Sequence, residues 1–139
     1  MKKRNLIFAL AVLLMGAISS GFNNKEEQSN DLKASMARGQ ELYLANCVAC
    51  HMKTGEGINN VFPPLAKSDY LMADVPRSIK QILNGASGEM KVNGVVYNGT
   101  MTAFDLKDQE VADILNYIRN SWGNKGRLVK AEEVKKARG

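Results

Sequence analysis

The feature that most constrains this chain is the stretch at residues 47–51, with the sequence Cys-Val-Ala-Cys-His. It contains both cysteines and the one histidine of a chain of 139 residues. Two thiols three residues apart, followed at once by an imidazole, form the pattern of covalent haem attachment. Each thiol can form a thioether with one haem vinyl group, and Nε2 of His51 can then bind the iron axially. The motif therefore predicts one haem c per chain, held by Cys47, Cys50 and His51.

Three other uses of these residues were weighed against haem attachment. A structural zinc site normally takes four Cys or His ligands, and the chain has three such side chains. A thioredoxin-like redox pair would accompany a βαβ pattern, which the sequence does not show. A disulfide between Cys47 and Cys50 stays open in an exported protein, although so short a loop gains little closure entropy.

The amino terminus predicts export. Three basic residues, 2–4, precede an apolar run over residues 6–18, and small residues follow it as far as Gly21. This order is typical of a secretory signal peptide, predicted over residues 1–21, because the run is short for a membrane-spanning helix. The alternative is an uncleaved anchor that tethers the domain to the outer face of the inner membrane. Thioether formation needs cysteines outside a reducing cytosol, so we expect a periplasmic protein.

The rest of the chain predicts one small domain between two polar segments. Residues 22–31 are polar and predict a flexible linker, and residues 32–124 predict the domain itself. Apolar periodicity and end signals predict helices at about 32–46, 66–72, 75–84 and 107–122. Residues 90–97 predict a hairpin that turns at Asn93-Gly94. The charged end, residues 125–139, is either a loosely docked helix or a solvated tail. The predicted fold class is all-α with a small hairpin.

The charge balance gives no support for nucleic-acid binding. The whole chain is formally +5, but the signal segment contributes three of its 19 basic residues. Without them 16 basic residues face 14 acidic ones, and two haem propionates would offset the remaining charge of +2.

Over residues 34–122 the chain resembles the monohaem class I cytochromes c, the mitochondrial-like family. Besides the haem motif, the matched positions are Gly39 and Tyr43 in the predicted first helix and Ile114 and Tyr117 in the last. The resemblance implies the class I cytochrome c fold, with helices packed around one covalently attached haem. In that fold the first and last helices cross, so Gly39 and Tyr43 would contact Ile114 and Tyr117. Close approach there would explain a glycine that costs about 1 kcal/mol relative to alanine inside a helix.

The resemblance also implies two further haem-site residues. The family has a proline whose carbonyl accepts a hydrogen bond from the second nitrogen of the ligating histidine. Pro63 is assigned this role, with Pro64 as the alternative. The sixth ligand of the family is a methionine in the loop before the last helix, and Met101 occupies that place. Met90 and Met72 are rival candidates.

With His51 and Met101 on the iron, substrate access would be blocked and the metal could only change charge. We therefore expect an electron-transfer protein rather than an enzyme, acting as a monomeric one-electron carrier. Its partners would be a dehydrogenase or quinol-oxidising complex as donor and an oxidase or reductase as acceptor. Four lysines are candidates for transient docking around the haem edge: Lys53, Lys67, Lys91 and Lys107.

Two alternatives to a free carrier stay open. Thr102 stands where the family commonly has proline, so a looser loop could release Met101 and give a sensor or a peroxide-reactive enzyme. The charged segment at residues 125–139 could instead dock the chain as a subunit of a larger complex.

Overall fold

The computed structural model describes residues 19–139, and side chains from residue 26 onward. The predicted signal peptide or anchor, residues 1–21, therefore falls outside the described residues except for its last three. The contacts between residues group the chain into two compact units, one ending at Asp31 and the other beginning at Leu32. Among the described residues no helix combines the length and the apolar character needed to cross a bilayer.

The described chain is mostly helical, with one two-stranded antiparallel sheet in which Met90 lies opposite Tyr97. Its elements, in chain order, are α1 (Ser19–Asn46), α2 (Val48–His51), α3 (Asp69–Ala73), α4 (Val75–Asn84), β1 (Met90–Val92), β2 (Val95–Tyr97), α5 (Asp108–Ile118) and α6 (Ala131–Arg138). The predicted all-α class with a small hairpin is confirmed. The hairpin turns at Asn93 and Gly94, which both have positive φ, as a two-residue turn of this kind requires.

Helix α1 begins at Ser19, so residues 22–31 are helical and not the flexible linker predicted from their polarity. The segment contains neither glycine nor proline, and residues 25–28 (Lys-Glu-Glu-Gln) have high helix propensity. The side chains of residues 26–31 are exposed. Polar composition therefore predicted the exposure of residues 26–31 correctly and the backbone of the segment wrongly.

Local hydrogen bonds set the ends of the middle helices. The Ser68 hydroxyl accepts a hydrogen bond from the Leu71 amide (3.1 Å), so α3 begins at Asp69 and not at the predicted residue 66. The Asp74 carboxylate accepts one from the Arg77 amide (2.9 Å) and caps α4, whose predicted bounds are confirmed. Helix α5 ends at Ile118, four residues before the predicted end, and a turn leads on to Trp122 with φ of 53°.

The core lies between α4, α5 and α6, with Tyr43 of α1 buried against it. Val129 is 1% exposed and Val134 is fully buried. The side chain of Asn116 binds both backbone groups of Val129, donating to its carbonyl (2.8 Å) and accepting from its amide (2.7 Å). Residues 125–139 are therefore packed into the domain, which contradicts both a solvated tail and a domain boundary at Asn124.

Candidate haem site

The motif residues sit where α1 passes into α2. The Cys47 amide donates to the Tyr43 carbonyl (2.8 Å), and the Cys47 carbonyl accepts from the His51 amide (3.0 Å). One residue thus joins the two helices and fixes the spacing of both thiols relative to the imidazole. Both cysteines are free thiols, Cys47 partly buried and Cys50 exposed, so the disulfide alternative is not found.

The imidazole of His51 is oriented by a backbone carbonyl. Its Nδ1 lies 3.0 Å from the carbonyl oxygen of Pro63, the proline preferred over Pro64 from the sequence. A carbonyl only accepts hydrogen bonds, so the contact requires a proton on Nδ1 and leaves a lone pair on Nε2. Burial lowers the pKa of His51, while the bond to Pro63 acts in the opposite direction. The neutral ring is therefore favoured, in the form that can bind a metal through Nε2.

The motif forms part of the wall of a cavity of about 410 Å³. Besides Cys47, Cys50 and His51, it is lined by Pro63 and Met101 and mainly by apolar side chains. These come from the end of α1, α3, α4 and Ala86 after it, the hairpin, α5 and the loops at 61–65 and 99–104. The structure therefore brings all five predicted site residues to one cavity. Met90 also lines it and stays a rival to Met101, whereas Met72 is not among the lining residues.

The loop that carries Met101 is tied to the end of α4. Met101 and Ala86 exchange two backbone hydrogen bonds, of 2.8 and 3.0 Å. Gly85 makes this approach possible, because its φ is +77° and a Cβ there would lie 2.5 Å from the Met101 carbonyl oxygen. The backbone of Met101 is thus held in place, although the exposed Thr102 follows where a proline would add rigidity.

Three polar residues in or beside the lining of the cavity were missed from the sequence. Tyr70 and Gln81 line the cavity, and the Gln81 amide donates to the Tyr70 hydroxyl (3.1 Å). The Arg77 guanidinium lies over the Tyr70 ring, 3.7 Å from its centroid. Its Nε is buried and has no hydrogen-bond partner among the described residues. The only signal was the four-residue spacing of Arg77 and Gln81 on α4, which indicates a shared helix face.

Trp122 packs beside the site and is not among the residues that line it. The centroid of its ring lies 5.2 Å from the ring centroid of Tyr43 and 5.3 Å from that of Tyr117. The centroids of the two tyrosine rings are 5.5 Å apart. Tyr43 does line the cavity, and its hydroxyl donates to the Met52 carbonyl just after the motif (2.6 Å). The aromatic cluster therefore fixes the α1 wall of the cavity to the segment that follows His51.

The residues present fit a covalently attached haem. Free thiols, a histidine with an available Nε2 lone pair and a largely apolar lining converge on one cavity. The sequence model of the cytochrome c family matches residues 36–122. The chain belongs to the cytochrome c family. Its cofactor is accordingly haem c, covalently attached and with one iron, and the class I cytochrome c resemblance is confirmed.

Relatives agree with this assignment. The cytochrome is 39% identical over 117 residues to a cytochrome c-552 of Thermus thermophilus, covering 77% of this chain and 78% of the relative. It is 37% identical over 103 residues to the cytochrome c subunit of a quinone alcohol dehydrogenase from Gluconobacter oxydans. That match covers 72% of this chain and 22% of the longer subunit. The chain is thus a c-type cytochrome of electron transfer, in a family that includes dehydrogenase subunits.

Proposed function

We propose that this cytochrome is a one-electron carrier between redox enzymes, with haem c bound through Cys47 and Cys50 and ligated by His51 and Met101. When bound, the haem supplies an iron that gains or loses one electron. The observation that carries the proposal is the meeting of His51 and Met101 at one cavity, although fifty positions separate them in the chain. Histidine and methionine together are the ligand pair that raises the reduction potential of a haem protein.

Each supporting residue has a physical task in this proposal. The Pro63 carbonyl holds the proton on Nδ1 of His51, which directs Nε2 to the metal and makes the ring a better donor. Ala86 holds the backbone of Met101 and so limits the positions that its sulfur can reach. With both axial positions filled, the chain would exclude small-molecule substrates from the iron. Beyond Thr102, no observation on the described residues favours the sensor or peroxide-reactive alternative.

The polar group of Tyr70, Arg77 and Gln81 suits the haem carboxylates. The Tyr70 hydroxyl accepts from Gln81 and keeps its own proton free to donate. Arg77 does not line the cavity; its guanidinium lies over the Tyr70 ring and donates to the Tyr70 carbonyl, so it adds a positive charge behind that ring. A carboxylate beside them would receive charge-assisted hydrogen bonds, which are stronger than neutral ones.

The proposed setting is the periplasm, reached through the signal segment at residues 1–21 and with a tether to the inner membrane as the alternative. Donors would be a dehydrogenase or a quinol-oxidising complex, and acceptors an oxidase or reductase. Similarity to cytochrome c subunits of dehydrogenases supports this type of partner. Residues 125–139 are packed within the domain through Val129 and Val134, which argues against their use as a docking element. A free monomer is the proposed form.

The test is production of the full chain in cells that attach haem to exported proteins, followed by mass measurement, absorption spectra and a redox titration. We expect the mass of one haem on the mature chain and a single one-electron wave. We also expect the weak long-wavelength band of sulfur bound to ferric iron, and no reaction of the reduced form with carbon monoxide. A colourless protein with two titratable thiols contradicts haem attachment. Ready carbon monoxide binding contradicts ligation by Met101.

A further inference from the structure

Met52, the residue that follows His51, has a strained backbone. Its φ is 61° and its ψ is 165°. A positive φ is uncommon for a residue with a Cβ, and this combination lies outside the left-handed helical region, where backbone conformations are essentially restricted to glycine. Such a conformation is costly and persists where the surrounding structure holds it. The chain therefore carries local strain directly beside the histidine of the haem motif.

Three hydrogen bonds hold the backbone of Met52 in this conformation. Its amide donates to the Val48 carbonyl (2.9 Å), and its carbonyl accepts from the Gly55 amide (3.2 Å). The Tyr43 hydroxyl, on α1, donates to the same Met52 carbonyl at 2.6 Å, and the Tyr43 side chain is fully buried. A carbonyl oxygen has two lone pairs and can accept both bonds. The tyrosine hydroxyl is thus the contact that ties the strained residue to a helix outside its own turn.

The strained residue begins the loop that returns to the side chain of His51. We call residues 52–63 the return loop. Within it, the Gly57 amide donates to the His51 carbonyl (3.1 Å), and a Cβ on Gly57 would lie 2.7 Å from the Pro63 carbonyl oxygen. That same oxygen lies 3.0 Å from Nδ1 of His51. The return loop therefore begins at Met52 and ends at the carbonyl that orients the imidazole.

We propose that Tyr43 is a positioning residue for His51: its hydroxyl holds Met52 in the strained conformation and so keeps the Pro63 carbonyl against Nδ1. This inference rests on the proposed electron-carrier function, because it takes His51 as a ligand of the iron. A phenylalanine at residue 43 would keep the aromatic ring but remove one bond to the Met52 carbonyl. The strained backbone would then relax toward negative φ, the return loop would shift, and the bond at Nδ1 would open more often.

The chain has one histidine, so the bond at Nδ1 can be measured directly. The full haem-loaded chain is produced with isotope-labelled histidine and reduced, and hydrogen exchange of the Nδ1 proton of His51 is followed by NMR. Tyr43→Phe should accelerate this exchange about tenfold or more, because an opened bond exposes the proton to water. Tyr117→Phe removes a hydroxyl from the same aromatic cluster at a position that does not line the cavity. It should change the exchange rate less than about threefold.

Glycine at residue 52 should rescue the tyrosine variant. Glycine adopts a positive φ without strain and does not need the hydroxyl to hold it there. Adding Met52→Gly to Tyr43→Phe should therefore return the exchange rate to within about threefold of the unsubstituted protein. A merely structural role of the Tyr43 hydroxyl, in packing α1, would not be restored by a change at residue 52.

A second pair of variants measures the strain itself, also where Tyr43→Phe fails to fold. Met52→Ala and Met52→Gly delete the same side chain, and glycine alone of the two tolerates this backbone conformation. Alanine is ordinarily the more stabilising residue, because glycine has more freedom in the unfolded chain. At residue 52 we expect the reverse in denaturant unfolding of the haem-loaded chain. The unfolding equilibrium constant of the glycine variant should be about fivefold smaller than that of the alanine variant.

Equal exchange rates in Tyr43→Phe and Tyr117→Phe would overturn the proposal. An alanine variant more stable than the glycine variant, or a double variant that exchanges as fast as Tyr43→Phe alone, would overturn it as well. Failure of the electron-carrier proposal looks different, because the unsubstituted protein would then lack attached haem or the spectrum of a histidine- and methionine-ligated iron. A normal spectrum and a single one-electron wave beside unchanged exchange in Tyr43→Phe reject only the positioning role of Tyr43.

Discussion

Gly39 on α1 and Asp113 on α5 meet at their backbones: the Asp113 carbonyl oxygen occupies the space that a side chain at residue 39 would need. A Cβ on Gly39 would also lie 2.9 Å from the Cβ of Tyr117. One turn further along α1, Tyr43 packs on Tyr117 and lines the haem cavity. The crossing of the two helices therefore sets the position of one cavity wall.

Gly39→Ala should destabilise the folded protein although alanine favours the helix. The gain in helix propensity is about 1 kcal/mol, but separating two packed helices costs about 1–3 kcal/mol and also moves Tyr43. We expect a net loss of stability in denaturant unfolding, with a shifted haem absorption spectrum. Ala45→Gly, at an exposed position of the same helix, measures the propensity effect alone. A more stable Gly39→Ala protein would contradict the close crossing.

Local chemistry could be predicted from the sequence where neighbouring residues determine it. Cys50 and His51 lie in one short helix that begins directly after Cys47, and the hairpin turn follows from Asn93 and Gly94 alone. The predicted contacts of Gly39 and Tyr43 with Tyr117 are confirmed, and they depended on a family resemblance rather than on periodicity.

Features that depend on distant partners were not predictable in the same way. Residues 125–139 contain many charges and few apolar residues, and their docking depends on Asn116 and on a core built by other helices. Tyr70 lines the cavity, where its hydroxyl accepts a hydrogen bond from Gln81 on a separate helix. In both cases the deciding contact joins elements whose relative position only the folded chain defines.

Asn116→Ala should loosen the carboxyl-terminal segment. The Asn116 side chain binds both backbone groups of Val129 and donates to Ser35 as well, so its removal leaves buried polar groups without partners. We expect a loss of about 2–3 kcal/mol in unfolding free energy. Limited proteolysis should then cleave faster within residues 125–139. Asn84→Ala, at an exposed position of α4, should change neither measurement, and equal proteolysis of the two variants would contradict the role of Asn116.

Asp113 should make stability depend on pH in the acid range. Burial raises the pKa of its carboxyl group, but hydrogen bonds from Arg38, Ser35 and Gln109 lower it by more, so the pKa lies below its ordinary value. A carboxylate with a lowered pKa contributes stability above its unfolded-state value, about 3.9, and that stability is lost as the pH falls through the folded-state value.

Asp113→Asn should therefore cost about 2 kcal/mol at neutral pH, because the charged hydrogen bonds are weakened. It should also flatten the fall in unfolding free energy as the pH drops below the unfolded-state pKa of about 3.9, because this carboxylate no longer has to protonate. Unfolding in denaturant at a series of pH values checks both effects. Asp105→Asn, at an exposed carboxylate, is the control. An acid response unchanged by Asp113→Asn would show that other groups dominate it.

Met101 and Met90 line the same cavity. Replacing each of them by alanine in separate variants distinguishes the methionine that binds the iron from the one that only packs in the cavity. Met101→Ala should remove the sulfur–iron band and lower the reduction potential, and it should let the reduced protein bind carbon monoxide, because one axial position loses its ligand. Met90→Ala deletes a side chain of the same size and chemistry and should keep all three properties, with some loss of stability. The reverse result would make Met90 the ligand. In that case the two backbone bonds between Ala86 and Met101 would position a loop beside the haem and not its sixth ligand.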